Sequence, residues 1–277
     1  MPPIRRTTRK VRMDIKKKLE KPSSDKPISI PKLKAKRKPL PLVERTNALS
    51  LEEFVTTYIP TSEIHFQTGG RAPQPQETGD LSADTANQTY TISVYSASTI
   101  PDKELDSCLN LIELTSSAAY KASSSGWSPT EKRKEMKLPD MKYMILRRDA
   151  ESPKSSGVTQ NTSGDKSGDK VEEFAGFIEF MVTYEDGYEV LYCYEIHLTP
   201  EARGQRLGEE LMGRFERIGQ RIGLDKAMLT VFKSNSRAIT FYKRVGFEED
   251  ENSPQPRKLR NGAVKEVDYM IMSKSLR

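Results

Sequence analysis

Residues 189–198, EVLYCYEIHL, place a group that can do acid–base chemistry inside an apolar run. Glu195 closely follows Tyr192 and Tyr194 in a pattern that is typical of a buried β-strand. Burying an ionised carboxylate is costly unless a partner compensates its charge. Because burial also raises the pKa of a carboxyl group towards the neutral range, we predict that Glu195 is a candidate general base.

A second stretch with chemical potential follows directly, LTPEARGQRLGEEL at residues 198–211. A short segment of Arg and Gly leads into an amphipathic helix, whose first N–H groups have no partner within the helix. These groups and the helix dipole favour phosphate binding, so we predict a pyrophosphate site from Arg203 to Gly208. The alternative is an ordinary helix start with surface arginines, since the spacing is that of neither a Walker A loop nor a dinucleotide fingerprint.

These residues must be positioned by an α/β domain with one core. Alternating apolar patterns predict strands at TYTISVYSA, KYMILRRD, EEFAGFIEFMVTYE, YEVLYCYEIHLT, KAMLTVFK and VDYMIMSKS. The dipeptide Asp186-Gly187 predicts a hairpin between the third and fourth of them. Helical periodicity predicts three helices: one after the first strand, one starting near Pro200, and a last one that Asn235 caps and Gly246 ends.

Charge divides the chain of 277 residues into unlike parts. Residues 1–46 hold 16 of the 45 Lys and Arg but 4 of the 39 Asp and Glu, a net charge of +12, so the rest of the chain has a net charge of −6. We predict a disordered basic tail at 1–46, a short helix and polar linker at 47–88, and a folded domain at 89–277 with a disordered loop at 150–170. The folded part should attract cationic partners.

Several classes of protein are disfavoured by composition. Two cysteines, Cys108 and Cys193, cannot form a disulfide framework or a multi-cysteine zinc site, and we predict no metal site. No apolar run approaches the length of a membrane span, and the basic N-terminus is not followed by the apolar segment that a signal peptide requires. We expect an intracellular protein without a membrane partner. The cluster KLKAKRKPLP in the tail is either a nuclear-import or nucleic-acid contact or simply a solvated basic segment.

The loop ARGQRLG and the downstream segment NSRAITFYKRVGFEE resemble two signatures of the GNAT acetyltransferases. The resemblance implies the GNAT acyl-CoA acyltransferase fold, a mixed and mostly antiparallel sheet flanked by helices, with acetyl-CoA as co-substrate. Arg206 stands where the first glycine of the family pattern usually lies. By resemblance, the residues that bind acetyl-CoA are Ile196, His197, Leu198, Arg203, Gly204, Gln205, Arg206, Leu207, Gly208, Glu209 and Asn235.

Four further segments, SSGWSPTEKRKEM, EVLYCYEIHL, KAMLTVFKSN and FEEDENSP, narrow the resemblance to the NatD group of N-alpha-acetyltransferases. The likeness runs from about Ala48 to the end and implies transfer to the free amine of Ser-Gly-Arg-Gly N-termini, as in histones four and two-A. Thr183 and Ser125 depart from this pattern, which has Asp and Trp there. The implied peptide-binding residues are Tyr120, Trp127, Thr183, Glu185, Tyr192, Tyr194, Thr230, Asn252 and Tyr269.

The resemblance also implies direct transfer without a covalent enzyme intermediate. Glu195 is the first candidate for the base and Glu185 the second, and either can instead orient the peptide. Tyr242 would protonate the leaving thiolate, and a backbone N–H near residues 196–198 would polarise the carbonyl. In a regular strand Glu195 would face away from Tyr192 and Tyr194, and the resemblance therefore suggests a β-bulge here.

Two other functions remain open from the sequence. One is a GNAT enzyme that acetylates lysine side chains or another amine, which would need a pocket open at both ends. The other is a chromatin-binding protein that acts through its basic tail. We expect a monomer in the nucleus and cytoplasm, with histone tails as substrate and with nucleic acid or an import receptor as partners of the tail.

Overall fold

The computed structural model describes residues 39–68, 88–149, 172–258, 260, 262 and 264–277. Most of the predicted tail, the polar linker after residue 68 and the predicted loop at 150–170 lie outside this part. The boundary of the tail needs correction, because residues 42–46 belong to a helix. Val43 and Thr46 of that helix are buried, so this end of the predicted tail packs against the domain.

The described ranges contain six α-helices, most of which begin with a recognisable cap or proline. A serine caps two of them, through Ser50 and Ser128, and Asn235 caps the last one as predicted. The helices are α1 Leu42–Asn47, α2 Leu51–Tyr58, α3 Asp102–Ala122, α4 Pro129–Met136, α5 Leu207–Ile222 and α6 Ser236–Arg244.

Ten strands complete the described part. Eight of them form one sheet in the order β1-β2-β3-β4-β5-β6-β10-β7, and the other two form a small ribbon. They are β1 His65–Thr68, β2 Gln88–Ser96, β3 Lys142–Asp149, β4 Glu172–Glu185, β5 Tyr188–Leu198, β6 Lys226–Phe232, β7 Glu248–Glu249, β8 Arg257–Lys258, β9 Val264–Lys265 and β10 Tyr269–Ser275.

Neighbouring strands of the large sheet pair antiparallel except β5 and β6, which run parallel. The sheet is therefore mixed and mostly antiparallel, as predicted. The hairpin between β4 and β5 turns at Asp186 and Gly187, both with positive φ, which matches the two-residue turn that Asp-Gly favours.

Helices cover both faces of the sheet and divide the core into two clusters. One cluster packs α1, α2, α5 and α6 against one face of the sheet, and we call them the α5/α6 cluster and the α5/α6 face. The other packs α3 and α4 against the opposite face, and we call them the α3/α4 cluster and the α3/α4 face. The alternation of β4 shows the division, because Ile178 and Phe180 belong to the first cluster and Phe177 and Met181 to the second. One strand can therefore contribute side chains to both faces of the sheet.

Two helical predictions differ from the structure. The helix expected near Pro200 begins at Leu207, because Pro200–Ala202 form a separate 3-10 turn. Helix α4 was not predicted, since its buried residues are only Lys132 and Met136 and it has no apolar stripe. The sequence features that indicate the start of this helix are Ser128 at the cap, Pro129 at the first helical position and Glu131 at the third.

Gly176 lets β4 and β5 approach closely where β5 ends. A Cβ atom at Gly176 would overlap the carbonyl oxygen of His197 and lie 2.7 Å from a methyl group of Leu198. The backbone oxygen cannot move without displacing β5.

We expect Gly176→Ala to lower the free energy of unfolding by about 1–3 kcal/mol, the usual cost of overpacking. Urea denaturation of the full chain measures it. Gly213→Ala is the matched control, because a Cβ there meets only the end of the Arg217 side chain, at 3.2 Å. In mid-helix that change should stabilise by about 0.5–1 kcal/mol. Equal effects of the two substitutions would contradict the assignment.

Candidate active site

Strands β5 and β6 separate halfway along their length. They pair only from Val190 opposite Lys226 to Cys193 opposite Leu229. Beyond Cys193, the edge of β5 that faces β6 pairs with no strand in the described part of the chain. We call the space between residues 194–198 of β5 and the end of β6 the β5–β6 gap. It exposes main-chain groups of β5 inside an otherwise continuous sheet.

A β-bulge in β5 lies at the start of this gap. Glu195 pairs with Glu179 and Cys193 with Phe180, so Tyr194 has no counterpart in β4. The extra residue puts Tyr194 and Glu195 on the same face: Tyr194 packs in the α3/α4 cluster, and Glu195 contacts Tyr120 of α3. The predicted bulge is confirmed, and it assembles groups that regular alternation would separate.

Glu195 is a buried carboxylate with three partners. One oxygen accepts a hydrogen bond from the Tyr120 hydroxyl at 2.7 Å and forms an ion pair with Lys132. The other accepts from Nε2 of His197 at 2.7 Å. Nδ1 of His197 lies 2.7 Å from the Thr115 hydroxyl, which holds the ring against α3. Since the Glu195 side chain is 9% exposed, these partners replace most of its water.

The predicted direction of the Glu195 pKa was wrong. Burial acts to raise the pKa of this carboxyl, but the Lys132 charge and the His197 hydrogen bond outweigh burial and lower it well below its usual value. Glu195 is therefore an anion at neutral pH and a weak base. The prediction failed because Lys132 lies in α4, the helix that the sequence patterns did not indicate.

Glu179 is a second buried carboxyl that the sequence analysis missed. It is fully buried opposite Glu195, and neither of its carboxyl oxygens has a hydrogen-bond partner among the described residues. Burial raises its pKa well above the usual value, Lys132 opposes this, and the Glu195 charge raises it further. The two neighbouring carboxyls therefore differ in charge at neutral pH: Glu179 is neutral and Glu195 is an anion. The sequence feature that could have indicated this buried carboxyl is the single Glu inside the apolar run GFIEFMV.

Aromatic side chains cluster near Glu195 on the α3/α4 face. The Tyr120 ring packs against Trp127 at 5.4 Å and against Phe232 at 5.1 Å between centroids. Tyr192 packs edge-on against Tyr194, and its hydroxyl is hydrogen-bonded to that of Thr230. The structure thus brings together five predicted peptide-binding residues, Tyr120, Trp127, Tyr192, Tyr194 and Thr230. We call this group the aromatic pocket.

Glu185 lies at the far end of the same face. Burial, followed by repulsion from Asp186, raises its pKa to about 7. Burial raises the pKa of Tyr192 and Tyr194, and the Glu185 charge raises the pKa of both further. Along β4 it is separated from Glu179 by about 20 Å at the usual strand rise. Glu185 therefore borders the aromatic pocket but is remote from the β5–β6 gap.

Three other predicted peptide-binding residues are less closely involved. Thr183 shares the α3/α4 face of β4 with Glu185, and Tyr269 lies opposite Phe232 in β10. Asn252 is exposed in the turn after β7, where its backbone N–H donates to Oδ1 of Asp250 at 2.9 Å.

The predicted phosphate loop lies on the opposite face, between β5 and α5. Arg206 precedes α5 with φ of 62°, the left-handed conformation that glycine prefers, which explains why the family pattern usually has glycine there. Among the described residues no side chain caps α5, so its first N–H groups are available. Leu207 is buried under the loop, and a Cβ at Gly208 would press on Phe241 of α6.

Side chains of the loop are held by their neighbours. The hydroxyl of the buried Tyr90 lies 2.7 Å from Oε1 of Gln205, whose amide donates to the carbonyl of Glu201 at 2.9 Å. Nε of Arg203 donates to the carbonyl of Leu198 at 3.2 Å. Glu209 is ion-paired with Arg244 at 3.0 Å. These contacts fix the loop and leave backbone N–H groups of the α5 start for an anion.

Tyr242 of α6 packs on this second side, against Phe241 and Phe247. Burial, and then the proximity of Cys193 and Glu195, raises the pKa of its hydroxyl well above the usual value, so it remains protonated. Ile196 and Leu198 of β5 pack in the same α5/α6 cluster. Asn235 uses its side-chain oxygen to cap α6, accepting from the N–H of Ala238 at 3.1 Å.

The described residues contain no group of three or more His, Cys, Asp or Glu arranged to hold a metal ion. Within the same ranges, every helix is too short or too polar to cross a membrane.

Residues 125–247 match the acetyltransferase (GNAT) family, and the predicted GNAT fold is confirmed. Over 169 residues the chain is 27% identical to N-alpha-acetyltransferase 40 of Saccharomyces cerevisiae. The matched region covers 56% of this chain and 55% of the yeast protein. It therefore spans about half the length of this relative.

Two solved structures are also similar. An acetyltransferase from Streptococcus agalactiae has 16% identity and a TM-score of 0.45, over 67% of this chain and 98% of that one. The ribosomal-protein-S18-alanine N-acetyltransferase of Escherichia coli has 18% identity and a TM-score of 0.39, over 67% and 94%.

The backbone at Arg206 should prefer glycine. We expect Arg206→Gly to be more stable than Arg206→Ala by about 1 kcal/mol, because only the latter keeps a Cβ in the left-handed conformation. Both changes remove the guanidinium group, so their difference isolates the backbone effect. Thermal and urea unfolding measure it, and an alanine variant as stable as the glycine variant would contradict the prediction.

Glu179 should make stability fall as pH rises. Its pKa is raised in the folded state, so above about pH 4.5 the unfolded chain ionises this group and the folded chain does not. We expect Glu179→Gln to remove this loss, so that its stability relative to the parent grows between about pH 5 and pH 8, by at most about 1.4 kcal/mol per pH unit.

Urea denaturation at several pH values measures the effect of Glu179→Gln. Glu52→Gln, at an exposed position of α2, is the control and should follow the parent chain. A difference between Glu179→Gln and the parent that stays constant with pH would contradict the prediction.

Proposed function

We propose that the GNAT domain of this chain transfers the acetyl group of acetyl-CoA to the free α-amine of a protein N-terminus. The preferred acceptors in this proposal are the Ser-Gly-Arg-Gly N-termini of histones four and two-A. The β5–β6 gap is the observation that carries the proposal. The phosphate loop follows β5 directly after the gap, and Tyr242 packs on the α5/α6 side. Glu195 lies in β5 at the gap, with its side chain on the α3/α4 face.

The residues on the α5/α6 side suit acetyl-CoA. The uncapped start of α5 offers N–H groups to the pyrophosphate, and the unpaired edge of β5 offers main-chain groups to the extended arm that carries the thioester. An N–H of that edge, within residues 196–198, polarises the thioester carbonyl. Tyr242 stays protonated and donates a proton to the leaving thiolate.

The charge state of Glu195 favours an α-amine over a lysine side chain. A carboxylate with a lowered pKa takes protons poorly, so the acceptor must bind largely as the neutral amine. Ordinary pKa values of about 7.7–8.0 for an α-amine and about 10.4 for lysine give the α-amine roughly 300-fold more neutral form near pH 7. The crowding of Tyr120, Tyr192 and Tyr194 supports the same choice, because a site for a lysine side chain must be open at both ends and crowding opposes that.

In this mechanism Glu195 orients the amine rather than acting as a strong base. As nitrogen bonds to the carbonyl carbon it gains positive charge, which the adjacent anion stabilises. The carbon–sulfur bond then breaks, the nitrogen releases one proton to solvent, and the sulfur gains one from Tyr242, which takes a proton back from solvent. His197 and Tyr120 keep the carboxylate aligned throughout.

Glu185 is proposed to hold the substrate arginine. Its position at the far end of the aromatic pocket matches a peptide that extends along β4 from an amine at Glu195. A guanidinium group there would lower the pKa of Glu185 from about 7 and complete its ionisation. Thr183, on the same face, supplies a hydroxyl where the NatD pattern has a carboxylate, so Glu185 carries more of this interaction.

The likeness to the yeast N-alpha-acetyltransferase supports the choice of an N-terminal amine. The histone preference rests on the motifs in EVLYCYEIHL and KAMLTVFKSN and on the net acidic charge of residues 47–277. A nuclear and cytoplasmic location belongs to the same proposal, as does recruitment through the basic tail.

The test is acetyl transfer by the full chain to synthetic peptides, with the modified atom located by mass spectrometry. We expect a free Ser-Gly-Arg-Gly peptide to be acetylated on its α-amine, with kcat/KM rising up to about pH 8 as the amine loses its proton. The same peptide blocked at its N-terminus and containing lysine should react at least about 100-fold more slowly.

A Ser-Gly-Ala-Gly peptide is the matched control for the arginine. Its KM should rise while its kcat changes little, because Glu185 is remote from the reacting amine. Comparable lysine acetylation of the blocked peptide would refute the N-terminal assignment.

A further inference from the structure

Lys132 is a buried lysine in the middle of the site. Its side chain is 5% exposed, and its ammonium contacts three oxygen atoms. It lies 2.5 Å from Oε1 of Glu135 and 3.3 Å from the Tyr120 hydroxyl, and the third contact is the ion pair with Glu195. An ammonium has three hydrogens, so all of its donors are used.

We propose that Lys132 is a positioning residue that holds the Glu195 carboxylate in place at the β5–β6 gap. This inference rests on the proposed function, in which Glu195 orients the acceptor amine. Lys132 reaches Glu195 from α4 and binds the oxygen that also accepts from Tyr120. The opposite oxygen remains with His197, so the carboxylate is held from both ends.

The second buried carboxyl shows what the cation decides. Glu179 and Glu195 are cross-strand partners on the same face, at a spacing where two negative charges would repel, so one of the two stays neutral. The ion pair with Lys132 makes Glu195 the ionised member. Without Lys132, hydrogen bonds from Tyr120 and His197 would be the remaining support for a negative charge on Glu195. The carboxylate would then take up a proton more readily, and a neutral acid cannot stabilise charge on the amine.

Lys132 also fastens α4 to the sheet. Apart from Met136 it is the only buried residue of this short helix. The carbonyl of Met136 accepts a hydrogen bond from the buried Tyr143 hydroxyl, and other contacts of α4 are more exposed ion pairs such as Arg133 with Asp102. The loop before α4 carries Trp127, which packs on Tyr120 in the aromatic pocket. A purely structural role for Lys132 is therefore the competing explanation that the test must separate.

The test must also account for the other titratable groups around Lys132. They come from α3, α4 and three strands, and several of them interact electrostatically with the Lys132 ammonium. They are Cys108 and Tyr120 on α3, Glu135 on α4, Tyr143 on β3, Glu179 on β4, and Cys193, Tyr194, Glu195 and His197 on β5.

The decisive measurement is the titration of the Glu195 side chain by carbon-13 NMR of the full chain, labelled in glutamate and assigned with Glu195→Gln. We expect Lys132→Met to move the Glu195 titration to higher pH and Lys132→Arg to keep it low. Lys134→Met is the matched control in the same helix, because Lys134 is 68% exposed and pairs with Glu131, away from Glu195. Glu195 should titrate in this control as it does in the parent.

Activity gives a second readout on the Ser-Gly-Arg-Gly peptide. We expect Lys132→Met to lower kcat by about 10- to 100-fold near neutral pH, with partial recovery at higher pH as Glu195 ionises. The KM for acetyl-CoA should stay near that of the parent, because the phosphate loop lies on the other face. Lys132→Gln keeps hydrogen-bond donors without the charge and replaces Lys132→Met if the latter does not fold.

The outcomes separate the two proposals. If Glu195 titrates at the same pH in the parent and in a folded Lys132→Met or Lys132→Gln variant, Lys132 does not control Glu195 and the inference is wrong. If the parent does not acetylate the peptide, the proposed function fails, but the titration still decides the role of Lys132. Loss of kcat with an unchanged titration would indicate a structural role alone.

Discussion

Tyr194 is one residue more than β4 can pair, and the chemistry of the site depends on how the sheet accommodates it. The bulge turns Glu195 to the face that already carries Tyr192 and Tyr194. It also coincides with the point where β5 leaves β6. A single local irregularity therefore opens the sheet and brings a carboxylate to the opening. The regular strands on either side supply the rigidity that such a distortion needs.

Electrostatics give the site its second constraint. Lys132, Glu179 and Glu195 are withdrawn from water together, and their charges can be understood only as a group. Glu179 stays neutral because burial raises its pKa and no described residue bonds to its carboxyl oxygens, whereas the Lys132 ion pair and the His197 hydrogen bond keep Glu195 ionised. Such arrangements stabilise a fold weakly and are costly to break, so their value lies in fixing the state of a particular group.

Much of this fold follows from sequence pattern. The strands around the site were predictable because their apolar residues alternate and because Asp186-Gly187 marks the hairpin. The bulge was predictable only from family resemblance, since nothing in the letters EVLYCYEIHL shows which residue is unpaired. Helix α4 escaped prediction because a buried lysine looks like an exposed one. That omission reversed the expected pKa of Glu195. The start of α5 was predicted near Pro200 instead of Leu207. An arginine such as Arg206 gives no indication that it adopts the left-handed conformation before the helix.

The two-sided construction has a consequence for the order of events. Groups that suit a nucleotide-bearing donor lie with α5 and α6, and groups that suit a peptide lie with α3 and α4. In the proposed function each ligand would therefore have its own side of the sheet, so that donor and acceptor bind together. The proposed transfer would pass through a ternary complex, without a covalent carrier between two half-reactions. Its two products would leave independently, through opposite sides of one sheet.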